Sequence, residues 1–396
     1  MTRFRAAGRP SSSPRARTWL LSPARSLWSS QTLGSTGFSR QAAVSGAVIG
    51  PRVVGGGGAE TSPGHGPGNP PRGLIRCSER VCYRARRATD TDKPRAMSAR
   101  PDSAAWPRRL AWRAQALPLG LFWAGSSLLP PRLAAAAGSR LFRWLGPLTR
   151  KQRFVARNLE LAYPELDTAE RDAIARDVWS NFGAVLAEYP HLGRYAAAGT
   201  DALETEVHPA TRVFLGEGRP AVFVTAHLAN WELPGLALGR LGVQLSVVYA
   251  PQGNPHVDAM LQQHRSALGC DFVPKTDSIR TLVAALKAGH SVGLLSDQRT
   301  DFGEQLPFFG RPAMTAISPA WLALRQGCPL VPVRVERRAH GRYRVHVLAP
   351  LSGDDTSRAG VLALSKRLNG LFEAWIRERP GQWLCMRRRW PGRIEA

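Results

Sequence analysis

The stretch Val222-Phe223-Val224-Thr225-Ala226-His227-Leu228-Ala229-Asn230-Trp231-Glu232-Leu233 constrains this chain more than any other. It begins as a short β-branched apolar run, the pattern of a buried strand. It then turns through a histidine, an asparagine and a glutamate. From Leu233 to Leu241 it is apolar and broken by small residues, which reads as a helix. A polar cluster thus sits where a strand hands the chain to a helix, the edge at which open α/β sheets bind their ligands.

The spacing of the two ionisable groups limits their geometry. His227 and Glu232 are five residues apart, so on one straight helix they would diverge by about 140°. They can act together only if His227 lies in the turn and Glu232 in the first helical turn, facing back. A carboxylate behind an imidazole fixes its tautomer and raises its basicity. The imidazole can then take a proton from a hydroxyl as that hydroxyl attacks a carbonyl. If the hydroxyl belongs to the substrate, the protein needs no serine or cysteine nucleophile. The plainer reading is a histidine that caps a helix.

From Pro220 onward, strand and helix signals alternate. Strands are expected at 221–226, 243–249, 291–295, 329–335 and 342–348, and helices at 230–240, 255–268, 277–288, 315–326 and 356–378. Such alternation predicts an α/β fold with a largely parallel central sheet flanked by helices. Leu330 to Arg337 and Arg342 to Leu348, joined through Ala339-His340-Gly341, read as a hairpin, so the sheet is expected to be mixed. Upstream, Thr168 to Tyr189 has helical spacing with capping chemistry at Asp167 to Arg171.

The N-terminal part is different. Residues 1–96 are rich in Gly, Pro, Ser and Arg without a sustained apolar period, so ordering them would not be offset by burial. They hold sixteen Lys+Arg against four Asp+Glu, nearly half of the net charge of +25. The charge is therefore a poor guide to the folded part. With almost no interleaved aromatics, this segment is not expected to bind nucleic acid. It reads as disordered or as preceding the true start, with Met97 the natural initiator. Residues 97–150 form a second segment. Leu117 to Leu129 is apolar but shorter than the roughly 20 residues of a spanning helix. Arginines flank the apolar stretch and Trp106, Trp112, Trp123 and Trp144 punctuate the segment, which predicts a helical anchor at an anionic membrane surface. Residues 151–396 are the catalytic domain. Its cysteines, with Cys77 and Cys82, make an odd and scattered set of five, which argues against a disulfide framework. No zinc-type spacing is present, and neither a metal nor a cofactor is expected.

Three further blocks could carry chemistry. Asp297, Gln298 and Arg299 follow the apolar run Ser291 to Leu295, and by the same fold logic they lie on the sheet edge of His227. Phe308 and Phe309 could wall an apolar chain, and Arg311 could grip a phosphate bidentately. Arg387 to Arg389 could rest on lipid headgroups or form a solvated tail.

Taken in order, these blocks resemble the late (lauroyl/myristoyl-type) Kdo2-lipid A acyltransferases, a branch of the His-x4-Asp/Glu glycerolipid-type acyltransferases. The resemblance is carried by Arg157 to Glu165, by Ala226 to Glu232, and by Asn254-Pro255 with Arg265 and Gly269. Asp297-Gln298 with Pro307 to Pro312, and Gln382-Trp383-Leu384 with Arg387 to Trp390, complete it. It spans roughly residues 105–393. It implies transfer of a fatty acyl group from an acyl carrier protein to a hydroxyl of a phosphorylated glycolipid, a Kdo-bearing lipid A precursor, at the cytoplasmic face of the inner membrane. His227 is then the general base and Glu232 its orienting carboxylate. Asn230, Arg265, Asp297, Gln298, Arg299, Phe308, Phe309 and Arg311 contact substrate. One departure stands out: Tyr249-Ala250-Pro251 lacks an arginine that many members carry between the tyrosine and the proline, leaving Arg265, Arg299 or Arg311 to replace it. Acyltransferases acting on phosphatidylinositol mannoside share the core motifs. A non-catalytic basic membrane- or nucleic-acid-binding protein is the reading from another class.

Overall fold

The computed structural model describes residues 106–197 and 201–391, so the expectation for residues 1–96 lies outside the described residues. The described chain opens with helices α1 (Trp106–Ser127), α2 (Pro131–Leu145), α3 (Gln152–Ala162), α4 (Thr168–Glu188) and the short α5 (Leu192–Ala196). Strand β1 (Leu203–Val207) and α6 (Pro209–Gly216) follow. Then come β2 (Val222–Thr225), α7 (Leu233–Arg240), β3 (Leu245–Tyr249), α8 (Pro255–Arg265), β4 (Asp271–Pro274), α9 (Ser278–Lys287) and β5 (Ser291–Leu295). After β5 the chain makes a hairpin of β6 (Glu304–Phe308) and β7 (Arg311–Thr315). It ends with α10 (Ser318–Gln326), β8 (Leu330–Ala339), β9 (Arg342–Val347) and α11 (Arg358–Glu378).

Seven strands form the main sheet in the order β1-β9-β8-β2-β5-β3-β4. Every pairing is parallel except β8 with β9, the predicted hairpin. The sheet is therefore mixed and largely parallel, with β1 and β9 running against the other five. β2 lies at its centre and all four of its residues are buried, the placement that a Val-Phe-Val run dictates when helices cover both faces. Sequence reasoning placed the five strands and five helices from residue 220 onward within a few residues, β8 alone running four residues past its predicted end. It missed α3, α5, β1, α6, β4, β6 and β7. These strands are four or five residues long, and β1, β6 and β7 are interrupted by charge or proline, as in Leu-Glu-Thr-Glu-Val. The hairpin β6–β7 turns on Phe309 (φ 51°) and Gly310 (φ 69°), the doubly left-handed turn that suits the twist of two antiparallel strands.

The helical layer has its own logic. At the start of α4, the Asp167 side chain accepts from the Glu170 N–H at 2.8 Å and Glu170 accepts from the Asp167 N–H at 2.9 Å, the capping box expected there. α2 packs against α4 through small residues. A Cβ placed on Gly183 would lie 2.2 Å from the Gly138 carbonyl oxygen, and one on Gly138 would lie 2.4 Å from that of Gly183. Ser139 and Ser180 hydrogen-bond at 2.6 Å across the same seam. Backbones this close are reached only where side chains are missing. The other face of α1 and α2 carries exposed apolar residues: Trp106, Leu110, Leu117, Leu121 and Leu128 at helical spacing on α1 and just beyond its end, and Leu133, Leu141 and Trp144 on α2. Among the described residues no helix is long and apolar enough to cross a membrane.

The helix seam yields a test. Gly183→Ala forces α2 and α4 apart, because the contact is with backbone, and costs about 1–3 kcal/mol. Gly125→Ala on α1 meets nothing within 4 Å and should gain up to about 1 kcal/mol from helix propensity. Chemical denaturation of the two variants should move in opposite directions.

Candidate active site

Strand register brings two distant residues together. β2 and β5 are adjacent and parallel, and Thr225 lies opposite Leu295. Two residues beyond each partner, at the carboxyl edge of the sheet, stand His227 and Asp297. The His227 ring Nδ1 is 2.7 Å from Asp297 Oδ1, and the His227 backbone N–H donates to the same oxygen at 3.0 Å. Asp297 Oδ2 accepts the indole N–H of Trp383 at 3.0 Å. Burial on its own would push the Asp297 carboxyl up. The His227 charge and these three donors outweigh it and hold the group below its ordinary value. An ionised carboxylate only accepts, so Nδ1 carries the ring proton and donates it to Asp297. In the neutral ring Nε2 then keeps its lone pair; it has no hydrogen-bond partner among the described residues and belongs to a side chain 21 % exposed. This is the arrangement of an oriented general base.

The carboxylate behind His227 is thus Asp297, and the expected His227–Glu232 pairing is corrected. No hydrogen bond or ion pair joins the two among the described residues. Glu232 precedes the first residue of α7 and faces the helical layer instead. It accepts from Arg265 Nε at 3.0 Å, from Arg265 Nη2 at 2.7 Å and from the Tyr189 hydroxyl at 2.6 Å. Burial acts to lower Arg265, but the Glu232 charge more than reverses this and keeps the guanidinium firmly protonated. Burial first, and then the same carboxylate, push the Tyr189 phenol well above its ordinary range. Tyr189 in turn lies against Trp123 of α1, with ring centroids 5.5 Å apart, and Trp123 meets His264 edge-on at 4.7 Å.

Other predicted site residues fall in different places. Asn230 is 1 % exposed, and both ends of its amide are spent inside the protein. Its Nδ2 donates to Glu188 at 3.0 Å and its Oδ1 accepts from the Glu232 N–H at 3.3 Å. Both bonds hold it to groups of the protein itself. Phe308 and Phe309 are buried among Trp383, Trp390 and Tyr163. They back the indole that holds Asp297 and do not wall an open groove, because core aromatics already cover their faces. Arg311 is exposed, and its Nε donates to the Leu161 carbonyl at 3.2 Å. Gln298 and Arg299 are half-buried just beyond Asp297, with Arg299 3.4 Å from Asp301.

The C-terminal run is neither headgroup-facing nor solvated throughout. Arg389 is 2 % exposed, donates to the Met314 carbonyl at 2.7 Å and Thr315 Oγ1 at 2.9 Å, and stacks over Phe308. Burial pushes its pKa down to about 10. Just before it, the chain threads under the His227 turn. Leu384 N–H donates to the His227 carbonyl at 2.9 Å and Ala229 N–H to the Gln382 carbonyl at 2.9 Å. Trp383 was legible only as part of a motif; Tyr189, Glu188 and Arg337, which surround the turn, gave no signal beyond an ordinary packing pattern.

Comparison with known proteins places the chain among acyltransferases. A family model described as bacterial lipid A biosynthesis acyltransferase matches residues 113–391. The lipid A biosynthesis myristoyltransferase of Escherichia coli (strain K12) is 26 % identical over 288 residues, 69 % of this chain and 86 % of that protein. The phosphatidylinositol mannoside acyltransferase of Mycolicibacterium smegmatis is 27 % identical over 181 residues, 44 % of this chain and 58 % of its own length. The crystal structure of a 1-acyl-sn-glycerophosphate acyltransferase from Thermotoga maritima matches with a TM-score of 0.30 and 13 % identity, covering 58 % of this chain and 100 % of that one.

Replacing Asp297 by Asn tests the orientation of the base. Turned with its NH2 toward the ring, and giving up the His227 backbone N–H bond, the amide would donate to Nδ1 and drive the proton to Nε2, removing the lone pair an oriented base needs. Turnover should fall by about 10⁴-fold in a folded protein. The ¹⁵N spectrum of the His227 ring should show the protonated nitrogen exchanging from Nδ1 to Nε2.

Proposed function

Since the chain belongs to the bacterial lipid A biosynthesis acyltransferase family, we propose that it moves a fatty acyl group from an acyl carrier protein thioester to a hydroxyl of a Kdo-bearing lipid A precursor. The observation that carries this reading is the His227–Asp297 pair at the carboxyl edge of the sheet, with Nε2 unbonded. The acceptor hydroxyl gives its proton to His227 Nε2 as its oxygen attacks the thioester carbonyl. Asp297 stabilises the imidazolium that forms. The tetrahedral intermediate then expels the carrier thiolate, which takes the proton back from Nε2. One ester forms, one thioester breaks, and neither a metal nor a redox group takes part. Glu232 keeps a role in this reading, as the anchor that fixes the Arg265 guanidinium beside the site; Arg265 therefore replaces the arginine missing from Tyr249-Ala250-Pro251 only as a held, partly neutralised cation.

The same reading places the protein on the cytoplasmic face of the inner membrane. The apolar stripe of α1 and α2 enters the headgroup boundary, and exposed Arg108, Arg109, Arg113 and Arg140 meet anionic lipid. A phosphatidylinositol mannoside acceptor is the second reading, favoured by the mannoside acyltransferase relative and by the altered Tyr249-Ala250-Pro251 segment. A basic binding module without catalysis has no use for an oriented imidazole.

The test is an acyl-transfer assay on the full chain in detergent, with carrier thioesters of several chain lengths. Kdo-bearing lipid A precursor and phosphatidylinositol mannoside serve as acceptors. The lipid A precursor should be acylated, with His227→Ala losing about 10²–10⁴-fold. Transfer to the mannoside alone would move the acceptor and keep the chemistry. A folded protein inert on both would sink the reading.

A further inference from the structure

The residue at the centre of the His227 turn is held in an unfavourable conformation. Ala229 has φ 47°, one of two non-glycine residues in the left-handed region among the described residues. A Cβ disfavours that region, so the conformation persists only where its surroundings over-determine it. The other such residue, Phe309, sits in a hairpin turn whose type demands it. Ala229 has no such excuse.

What over-determines it converges on one residue, through its side chain and its main chain. Arg337 lies at a register shift in the β8–β9 pairing, the kind of irregularity that re-aims a side chain. Its Nη1 donates to Glu188 Oε1 at 2.6 Å and its Nη2 to Oε2 at 3.2 Å, while its Nε donates to Asn181 Oδ1 at 3.0 Å. Each partner then reaches the turn. Asn181 Nδ2 donates to the Ala229 carbonyl at 3.0 Å, and Glu188 Oε2 accepts from Asn230 Nδ2 at 3.0 Å. The Arg337 main chain exchanges two bonds with the Gln382 amide, at 3.0 and 3.1 Å, and the Gln382 carbonyl accepts the Ala229 N–H. Both backbone groups of Ala229, and the side chain that follows it, are thereby tied to Arg337.

Stability alone gives little reason for this arrangement. Glu188 is fully buried and the Arg337 side chain is 9 % exposed. A buried ion pair is often matched or bettered by well-packed apolar residues. We propose that Arg337 and Glu188 are positioning residues: their ion pair clamps Ala229 in the left-handed conformation and so sets the direction in which His227 presents its free nitrogen. Neither group touches the reacting atoms. The kinetic part of the test rests on the acyl-transfer reading above; the spectroscopic part does not.

Arg337→Lys keeps the charge opposite Glu188 but loses the fork that also reaches Asn181. Its kcat should drop about 10²-fold with KM for the carrier thioester within about twofold and the melting temperature lowered by only a few degrees, leaving the protein folded in the assay. In histidine-labelled protein, the His227 Nδ1–H resonance should be protected from exchange in the parent and broadened in the variant. Adding Ala229→Gly, which adopts positive φ without a clamp, should recover at least about tenfold in kcat and restore the resonance. Should Arg337→Lys not fold, Asn181→Ala cuts one arm with the ion pair intact and should show the same pattern at roughly a tenth of the size. Parent-like kcat and exchange in these variants, a loss that follows only the unfolded fraction, or no recovery with Ala229→Gly would overturn the proposal. A parent that acylates nothing, yet whose Nδ1–H signal is lost with Arg337→Lys and regained with Ala229→Gly, would keep the clamp and overturn the acyl-transfer reading.

Discussion

The pairing of β2 with β5 is the constraint on which the site depends. Because the two strands are parallel and Thr225 stands opposite Leu295, residues two places further on are also level with each other. A shift of one residue in that register would carry every side chain to the opposite face of the sheet. It would also part the imidazole from the only carboxylate it touches among the described residues. The buried Val-Phe-Val of β2 against Val292, Gly293 and Leu294 makes such a shift costly, since both faces of these strands are covered. Packing in the core thus sets a distance at the edge. Gly293 contributes by absence: a Cβ there would approach Val247 Cγ2 to 3.2 Å, so the glycine lets β3 lie close against β5.

Two carboxylates near one histidine take different duties because they meet different neighbours. Asp297 is enclosed, receives a ring N–H, a backbone N–H and an indole N–H, and can serve only the imidazole. Glu232 is five residues from His227 along the chain but faces the helical layer, where Arg265 and Tyr189 use both its oxygens. The helix that follows the turn accounts for this. Glu232 occupies the position before α7, and its side chain projects toward α4 and α8, away from the sheet edge. The left-handed Ala229 between the two residues sends them to different sides.

Most of the fold from residue 220 onward was legible because its strands are valine-rich and its helices are periodic. The carboxyl edge of the sheet was legible too, and with it the placing of Asp297 on the same edge as His227; that β2 and β5 are neighbours, which makes the two residues touch, was not. The choice between Asp297 and Glu232 as the orienting group was not. Sequence proximity favours Glu232; its place before α7 and the positive φ of Ala229 defeat it, and an alanine does not advertise positive φ. Asn230, Phe308 and Phe309 misled for a related reason: an amide and two aromatics suit a binding site and a core equally, and burial decides between them. Glu188 and Arg337 are 149 residues apart and look like ordinary surface charges on a helix and a strand until the fold buries them together.

The path of the chain near Gln382, Trp383 and Leu384 has a consequence for how the protein comes into being. The ribosome makes His227 long before these residues, yet the turn's own backbone bonds are closed by Gln382 and Leu384, and Asp297 is secured by Trp383. A nascent chain that has emerged as far as β9 holds the imidazole and the carboxylate without the segment that fixes either. Alignment of the imidazole with its carboxylate therefore arrives late and all at once, when the segment after α11 slides beneath the sheet edge. A chain cut by a protease between α11 and Trp383 would keep its sheet and most of its core and lose the alignment of its base.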